Sequence, residues 1–350
     1  MLIAAGGTAG HVVPALAVAA ELVERGAEVT FAGTPDRIES RMVPGAGYPF
    51  RSYRVKGLER RPSFGLLKAI AVDTVAPAAC LQIIRQVKPA VVFGAGGYVS
   101  GPMLAVAAAR RVPSALLEVD AHMGVANRMA SPLVRRVFLS FPIEGLRPPH
   151  HLVTGRPVPR AVLEATREQG LLELGIAGDR RVVLVIGGSL GARTLNTAAA
   201  DAWAETDPGF TVVNVTGSRD FAMIARRATP HYRVIEFTQS LAPLLAAADL
   251  VVSRAGGSVF EIAAAGRPSI LVPSPNVTAD HQTPNAAYLG DGGAAIVIRD
   301  AELLPGRLAD EVAALLEAPS RLEGMGAAAR RLARPDAAAV IAAQLLELAE

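Results

Sequence analysis

The sequence predicts an α/β protein built from two doubly wound parallel-sheet domains, and three observations carry that prediction. Short β-branched or apolar runs alternate with segments whose apolar residues fall at three-to-four spacing, as in Val13–Arg25 and Ala192–Trp203. Repetition of that strand–helix unit points to parallel sheets covered by helices on both faces. The pattern also echoes itself. An apolar run enters Gly6-Gly7-Thr8-Ala9-Gly10 in the first half and Gly187-Gly188-Ser189-Leu190-Gly191 in the second, and each half later carries another Gly-rich loop, Gly94-Ala95-Gly96-Gly97 and Ala255-Gly256-Gly257-Ser258.

Taken in order, Leu2–Ala5 is an apolar run that stops at two glycines. Glu28–Ala32, Ala90–Phe93, Ser114–Leu117 and Arg136–Leu139 are short runs of aliphatic and aromatic residues between helix-like segments. The second half repeats the theme at Val182–Ile186, Thr211–Val215, Tyr232–Glu236, Leu250–Val252 and Ser269–Val272. Between the halves, Thr154-Gly155-Arg156-Pro157-Val158-Pro159-Arg160 reads as a linker, because two prolines flank a valine. The expected division is residues 1–155, 156–334 and a C-terminal piece, 335–350. The last is an Ala/Leu helix, Asp336–Leu348, with Asp336 as N-cap, and whether it packs back on the N-terminal domain stays open.

Composition supports this architecture. A chain of 350 residues holds two α/β domains, and 51% apolar against 19% charged residues supplies their cores and argues against disorder. The 33 Gly and 25 Pro lie between apolar runs, as short βα connections require. Cys80 cannot form an intrachain disulfide and reads as a small buried hydrophobe. The apolar start is too short for a secretory signal and lacks a basic end, so the cytoplasm is expected; no run is long enough to span a membrane. A net charge of +3 with a pI near 9.3 suits phosphate, nucleic acid or anionic lipid without choosing among them.

The chemistry is expected at the Gly-rich turns. In Ile186–Arg193 the glycines let backbone approach a phosphate, and the following helix offers unpaired N–H groups. It is neither a Walker loop nor a dinucleotide fingerprint, and a tight βα turn without ligand is the alternative. In Arg254–Pro268, the N–H groups of Gly256, Gly257 and Ser258 are candidates for a diphosphate, and Glu261, one turn on, for ribose hydroxyls. Asp280-His281-Gln282-Thr283-Pro284-Asn285 adds amides and an imidazole suited to sugar hydroxyls. In the first half Thr8 and His11 stand at a strand-to-helix turn on the edge where open α/β sheets bind ligands, beside Gly94–Pro102. A capping or packing role for His11 is the alternative.

The set Gly6–Ala15, Gly94–Pro102, Gly187–Ala192, Arg254–Gly266 and His281–Ala286, in that order, resembles the MurG family over nearly the whole chain; Gly33-Thr34, Val43-Pro44 and Val153-Thr154-Gly155 are similar too. The resemblance implies a GT-B fold, two doubly wound Rossmann-like domains facing across a cleft. It implies inverting transfer of GlcNAc from UDP-GlcNAc to lipid I, giving lipid II. By matching motif, the donor set is Ser189, Phe237, Thr238, Gly256, Gly257, Ser258, Glu261, Gln282, Asn127 and Arg160. The acceptor set is Thr8, Gly10, His11, Gly96, Gly97 and Tyr98, and the candidate bases are His11 and Asp120. No cofactor and no metal are implied, in keeping with the absence of an Asp-x-Asp motif, and nucleic acid is not among the expected partners. An anionic membrane surface is, and cell-wall synthesis proteins stay open.

The chain departs from the family at several points. Leu117-Glu118-Val119-Asp120 stands where the family usually shows His-Glu-Gln-Asn, and Leu190 stands for Gln. The interval from Arg254 to Glu261 is one residue short, Arg156 stands where Asn is common, and Pro159 displaces Arg160. These changes leave two rivals: a GT-B enzyme with another lipid or a natural-product acceptor, and a non-catalytic nucleotide-sugar binding subunit. A dinucleotide oxidoreductase is disfavoured by both Gly patterns.

A lipid acceptor implies work at the cytoplasmic face of the membrane. Gly57–Ile70 mixes Leu58, Phe64, Leu66 and Leu67 with Arg60, Arg61 and Lys68, a composition that suits anionic headgroups or, alternatively, a core-facing helix with a basic rim. Replacing Arg60, Arg61 and Lys68 by Gln is expected to weaken binding to anionic vesicles by up to several kcal/mol, at about 1 kcal/mol per cation. Sedimentation with vesicles beside a thermal melt checks this. Unchanged sedimentation by the folded variant refutes the surface patch.

Overall fold

The computed structural model describes residues 1–56, 64–188, 191–277 and 280–350, with the side chains of 64–74 left aside; the expectation placed on Arg60, Arg61 and the Lys68 side chain lies outside the described residues. Its contacts divide the chain into two compact units, Met1–Pro159 with Arg334–Glu350, and Arg160–Ala333. The first boundary falls four residues beyond the expected 155/156. Arg156 explains the difference: its guanidinium donates to Gly10 O (2.5 Å) and Val119 O (3.3 Å), which keeps the segment on the first unit.

The first unit is a seven-stranded sheet ordered β3-β2-β1-β4-β5-β6-β7, every pair parallel. Its strands are β1 (Leu2–Ala4), β2 (Thr30–Gly33), β3 (Phe50–Ser52), β4 (Val92–Gly94), β5 (Ser114–Glu118), β6 (Arg136–Leu139) and β7 (His151–Val153). The second is a six-stranded parallel sheet ordered β10-β9-β8-β11-β12-β13. It comprises β8 (Val182–Ile186), β9 (Thr211–Val215), β10 (Tyr232–Ile235), β11 (Leu250–Ser253), β12 (Ser269–Leu271) and β13 (Ala295–Val297). The α/β, doubly wound class is therefore correct in both halves. The sequence reading missed β3, β7 and β13. All three are edge strands of three residues, only partly buried, so no continuous apolar run marks them.

Helices cover both faces. In α1 (Ala9–Glu24), Val12, Ala15, Val18, Ala19 and Leu22 are buried, a three-to-four repeat that presents one stripe to the sheet. The helix from Arg193 to Trp203 does the same with Leu195, Ala198, Ala199 and Trp203. Cys80 is buried, and burial pushes its thiol up to about 12, which leaves it an inert core residue. Among the described residues no helix is long and apolar enough to cross a membrane.

The C-terminal helix runs Ala337–Glu347 and packs against α1. Asp336 stands at its N-cap without a side-chain capping bond. Ile341, Ala342 and Leu345 join the cluster formed by Ile3, Val18, Leu22 and Phe93, so this late segment completes the first core. Ile341→Ala is expected to destabilise the first unit by about 2–5 kcal/mol through lost burial and a residual cavity. Urea unfolding checks it; a cost below about 1 kcal/mol would mean the helix end contributes little to this core.

Candidate functional site

In each sheet the chain builds outward from its first strand, then crosses back to continue on the other side. The reversal falls between β1 and β4 in the first unit and between β8 and β11 in the second. Connections leaving the carboxyl ends of two such strands run to opposite faces and open a crevice between them, the usual ligand position in open α/β sheets. All four Gly-rich turns singled out from the sequence leave these four strands.

The first-unit turns interlock. His11 Nδ1 meets Thr8 Oγ1 at 3.1 Å. A Cβ on Gly96 would lie 3.0 Å from both His11 Cδ2 and Leu117 O, and one on Gly97 would lie 3.4 Å from His11 Nε2. Gly96 also has φ +94, so both space and backbone demand glycine. The Tyr98 ring covers Gly7, within 3.2 Å of where a Cβ would stand. Thr8, Gly10, His11, Gly96, Gly97 and Tyr98 thus meet around one reversal.

Two buried carboxylates hold this arrangement. Glu39, fully buried, accepts from Gly7 N (3.1 Å) and from Thr34 N and Oγ1 (3.0 and 2.5 Å), so it pins the first Gly-rich turn to the end of β2. Glu118 accepts from Asp120 N (3.0 Å), Gly124 N (2.9 Å) and Asn127 Nδ2 (2.8 Å). Burial raises its pKa, while those three N–H groups pull the other way. Glu118 therefore orients the loop that carries half-buried Asp120. Arg156 ties that loop, at Val119 O, to Gly10 O.

In the second unit, Gly187, Gly188 and Gly191 form the turn after β8; Ser189 and Leu190 lie outside the described residues. A Cβ on Gly187 would stand 2.8 Å from Ala192 N, and one on Gly191, at φ +86, 2.4 Å from Thr216 O. After β11, Arg254 is buried. It pairs with Asp300 (2.5 Å), donates to Val272 O (3.1 Å) and reaches Thr194 Oγ1, joining three connections at the sheet edge. Asn285 Nδ2 donates to Ala255 O (3.1 Å), fixing the Gly256–Gly257 turn that enters the helix Ser258–Ala264. Val259 N and Phe260 N of that helix donate back to Gly256 O (3.2 Å) and Gly257 O (3.3 Å) of the turn. Half-buried Glu261 stands on its first turn. Gln282 Oε1 accepts from Ser274 N (2.9 Å), and Nε2 faces Gly256, 3.8 Å from a Cβ position there.

Gly256, Gly257, Ser258, Glu261 and Gln282 therefore cluster after β11 and β12. Phe237, exposed, and Thr238, whose Oγ1 donates to Ser240 O (2.6 Å), follow edge strand β10 on the same side of the sheet. Two expected donor residues lie on other elements. Asn127 belongs to the first unit and is buried, its amide N–H groups engaged by Leu117 O and Glu118. Arg160 opens the second unit on the helix Arg160–Glu164, 4.0 Å from Glu164, away from the Gly-rich turns in sequence. The sequence reading missed Glu39 and the tie made by Arg156. A lone acid after a Gly-Thr turn and an arginine in a linker carry no local mark of burial.

Comparison with known proteins matches this geometry. The glycosyltransferase family 28 N-terminal domain matches residues 1–139, and the family 28 C-terminal domain matches residues 182–341. A UDP-N-acetylglucosamine–N-acetylmuramyl-(pentapeptide) pyrophosphoryl-undecaprenol N-acetylglucosamine transferase of Pseudomonas fluorescens is 40% identical over 100% of this chain and 98% of its own. The Myxococcus xanthus protein of the same name is 37% identical over 99% and 92%. The crystal structure of MurG from Acinetobacter baumannii superposes with TM-score 0.77 at 27% identity, covering 99% of both chains. A UDP-GlcNAc 2-epimerase from Neisseria meningitidis shares the fold at TM-score 0.70 and 14% identity, with 99% of both chains covered.

The Glu39 contacts generate a prediction. Glu39→Gln keeps the shape but leaves one N–H opposite an amide NH2, at an expected cost of about 1–3 kcal/mol to the first unit. Affinity for UDP-GlcNAc, measured by calorimetry, is expected to stay unchanged, because the expected donor residues from Gly256 to Gln282 lie in the second unit. A variant as stable as wild type in urea refutes the pinning role.

Proposed function

The chain belongs to glycosyltransferase family 28 through both of its domains, and from that premise we propose that it transfers GlcNAc from UDP-GlcNAc to lipid I, making lipid II for peptidoglycan synthesis. The observation that carries this reading is full-length identity of up to 40% to transferases whose names specify both donor and acceptor. The Gly-rich turns at the two reversal points support this reading.

In this reading the second unit holds the donor. The N–H groups of Gly256, Gly257 and Ser258, with the turn after β8, receive the diphosphate, where helix N-termini and backbone N–H groups favour developing negative charge on the leaving UDP. Glu261 takes the ribose hydroxyls, Gln282 the GlcNAc hydroxyls, and the backbone of Phe237 and Thr238 the uracil. Arg160 and Asn127 belong to the same set, and Asn127 Nδ2 also donates to Glu118.

The first unit receives the acceptor at the turns bearing Thr8, Gly10, Gly96, Gly97 and Tyr98. Inverting transfer needs an acceptor hydroxyl that loses its proton as it attacks the anomeric carbon from the face opposite UDP. His11 is the base in this reading. In the tautomer whose Nδ1–H donates to Thr8 Oγ1, Nε2 is the basic nitrogen, and an imidazole suits neutral pH. Asp120 is the second candidate, on the loop that Glu118 orients. Because the acceptor is a membrane lipid, the enzyme works as a peripheral protein at the cytoplasmic face.

Incubation with lipid I and radiolabelled UDP-GlcNAc tests the reading directly: label is expected in lipid II, and none appearing overturns it. His11→Ala is expected to lower kcat roughly 100-fold or more while UDP-GlcNAc affinity holds. A kcat within a few-fold of wild type moves the base role to Asp120.

A further inference from the structure

Asp220 lies outside every residue set discussed so far. It is the third residue of the helix Ser218–Ile224, which follows β9, the strand beside β8. Its side chain is fully buried, yet it gathers two arginines whose side chains are 64% and 54% exposed: Arg193 Nε at 3.3 Å and Arg219 Nε at 3.2 Å. Asn196 Nδ2 donates to its other oxygen (3.1 Å) and to Thr216 O (2.9 Å). Arg219 Nη2 also donates to Gly191 O (3.3 Å), and a Cβ on Gly191 would stand 3.0 Å from Asp220 Oδ2. Burial works to raise the pKa of Asp220, but the hydrogen bonds from Arg219, Asn196 and Arg193 outweigh it, so the carboxylate is held below its ordinary value and stays charged.

The first unit has a counterpart. Glu39 opens the helix after β2, the strand beside β1, and reaches the Gly-rich turn after β1. There the carboxylate takes a turn N–H directly. At Asp220 the carboxylate bonds to two guanidiniums and an amide instead, so the local charge beside the turn after β8 is positive. A buried acid that holds two half-exposed guanidiniums against a Gly-rich turn is built to present positive charge to an anion; Arg219 grips the acid through Nε and Nη2, whereas Arg193 grips it through Nε alone.

We propose that Asp220 is a positioning residue that holds Arg193 and Arg219 beside Gly191 to receive the diphosphate of the nucleotide sugar. The proposal rests on the donor reading given above. It assigns part of the leaving-group stabilisation to side chains held by a second carboxylate, in addition to the backbone N–H groups.

Calorimetry with UDP and with uridine tests it, because uridine lacks the diphosphate. Asp220→Asn is expected to weaken UDP about tenfold, the size of one lost hydrogen bond to a charged group, and to leave uridine within about twofold. Asp220→Glu is expected to recover part of the UDP affinity. Arg193→Gln with Arg219→Gln is expected to reproduce the loss of UDP affinity while uridine binding within about twofold of wild type reports a folded donor domain, and it carries the test if Asp220→Asn does not fold. Adding Asp220→Asn to that pair should then bring little further loss. Equal weakening of UDP and uridine, or UDP affinity unchanged in the arginine pair, overturns the proposal, since either outcome reduces Asp220 to a fold residue. Wild-type protein that prefers UDP over uridine yet transfers nothing to lipid I overturns the acceptor assignment and leaves the proposal standing.

Discussion

The arrangement depends on one topological constraint. A parallel sheet that begins at an interior strand and grows in both directions must reverse its winding once, and the two connections at that reversal leave in opposite senses. Here the reversal lies between β1 and β4 and again between β8 and β11. Glycine is required at these turns by geometry: Gly96 and Gly191 have positive φ, and a Cβ on either would meet a backbone carbonyl oxygen at 3.0 and 2.4 Å. The same condition that lets the strands pack side by side brings backbone N–H groups to the surface of a crevice.

Turns of glycine are not self-supporting, since glycine loses the most conformational freedom on ordering. Buried polar side chains supply the order. Glu39 and Glu118 accept backbone N–H groups in the first unit; Asn285 and Arg254 bond backbone carbonyls in the second. These groups are removed from water, so each is stable only with its partners in place, and that makes them stiff supports. The difference between Glu39 and Asp220 is one of charge. One carboxylate meets backbone N–H groups and a hydroxyl, whereas the other meets two arginines and an amide.

The departures from the family pattern take on a physical meaning in this setting. Leu117, in place of the usual His, is buried on β5 with its carbonyl engaged by Asn127, so an apolar residue is suited there. Arg156, in place of Asn, spans from the linker to Gly10 and Val119 and replaces a short amide with a longer fork that reaches two loops at once. Neither change removes a residue from the Gly-rich turns themselves.

Local sequence was enough to determine the class of fold and the position of the turns. Strands such as Val182–Ile186 are continuous apolar runs because both faces of a parallel sheet are covered, and Gly clusters mark where only glycine fits. The edge strands β3, β7 and β13 were not legible, because strands with one open side and three residues carry no such run. Strand order, and hence which turns become neighbours, was decided by the tertiary structure, since pairing is a relation between segments far apart in the chain. So was the use of Glu39, Arg156 and Asp220. A charged residue reads as solvent-facing in a linear sequence, and only the folded chain supplies the donors and acceptors that make its burial stable.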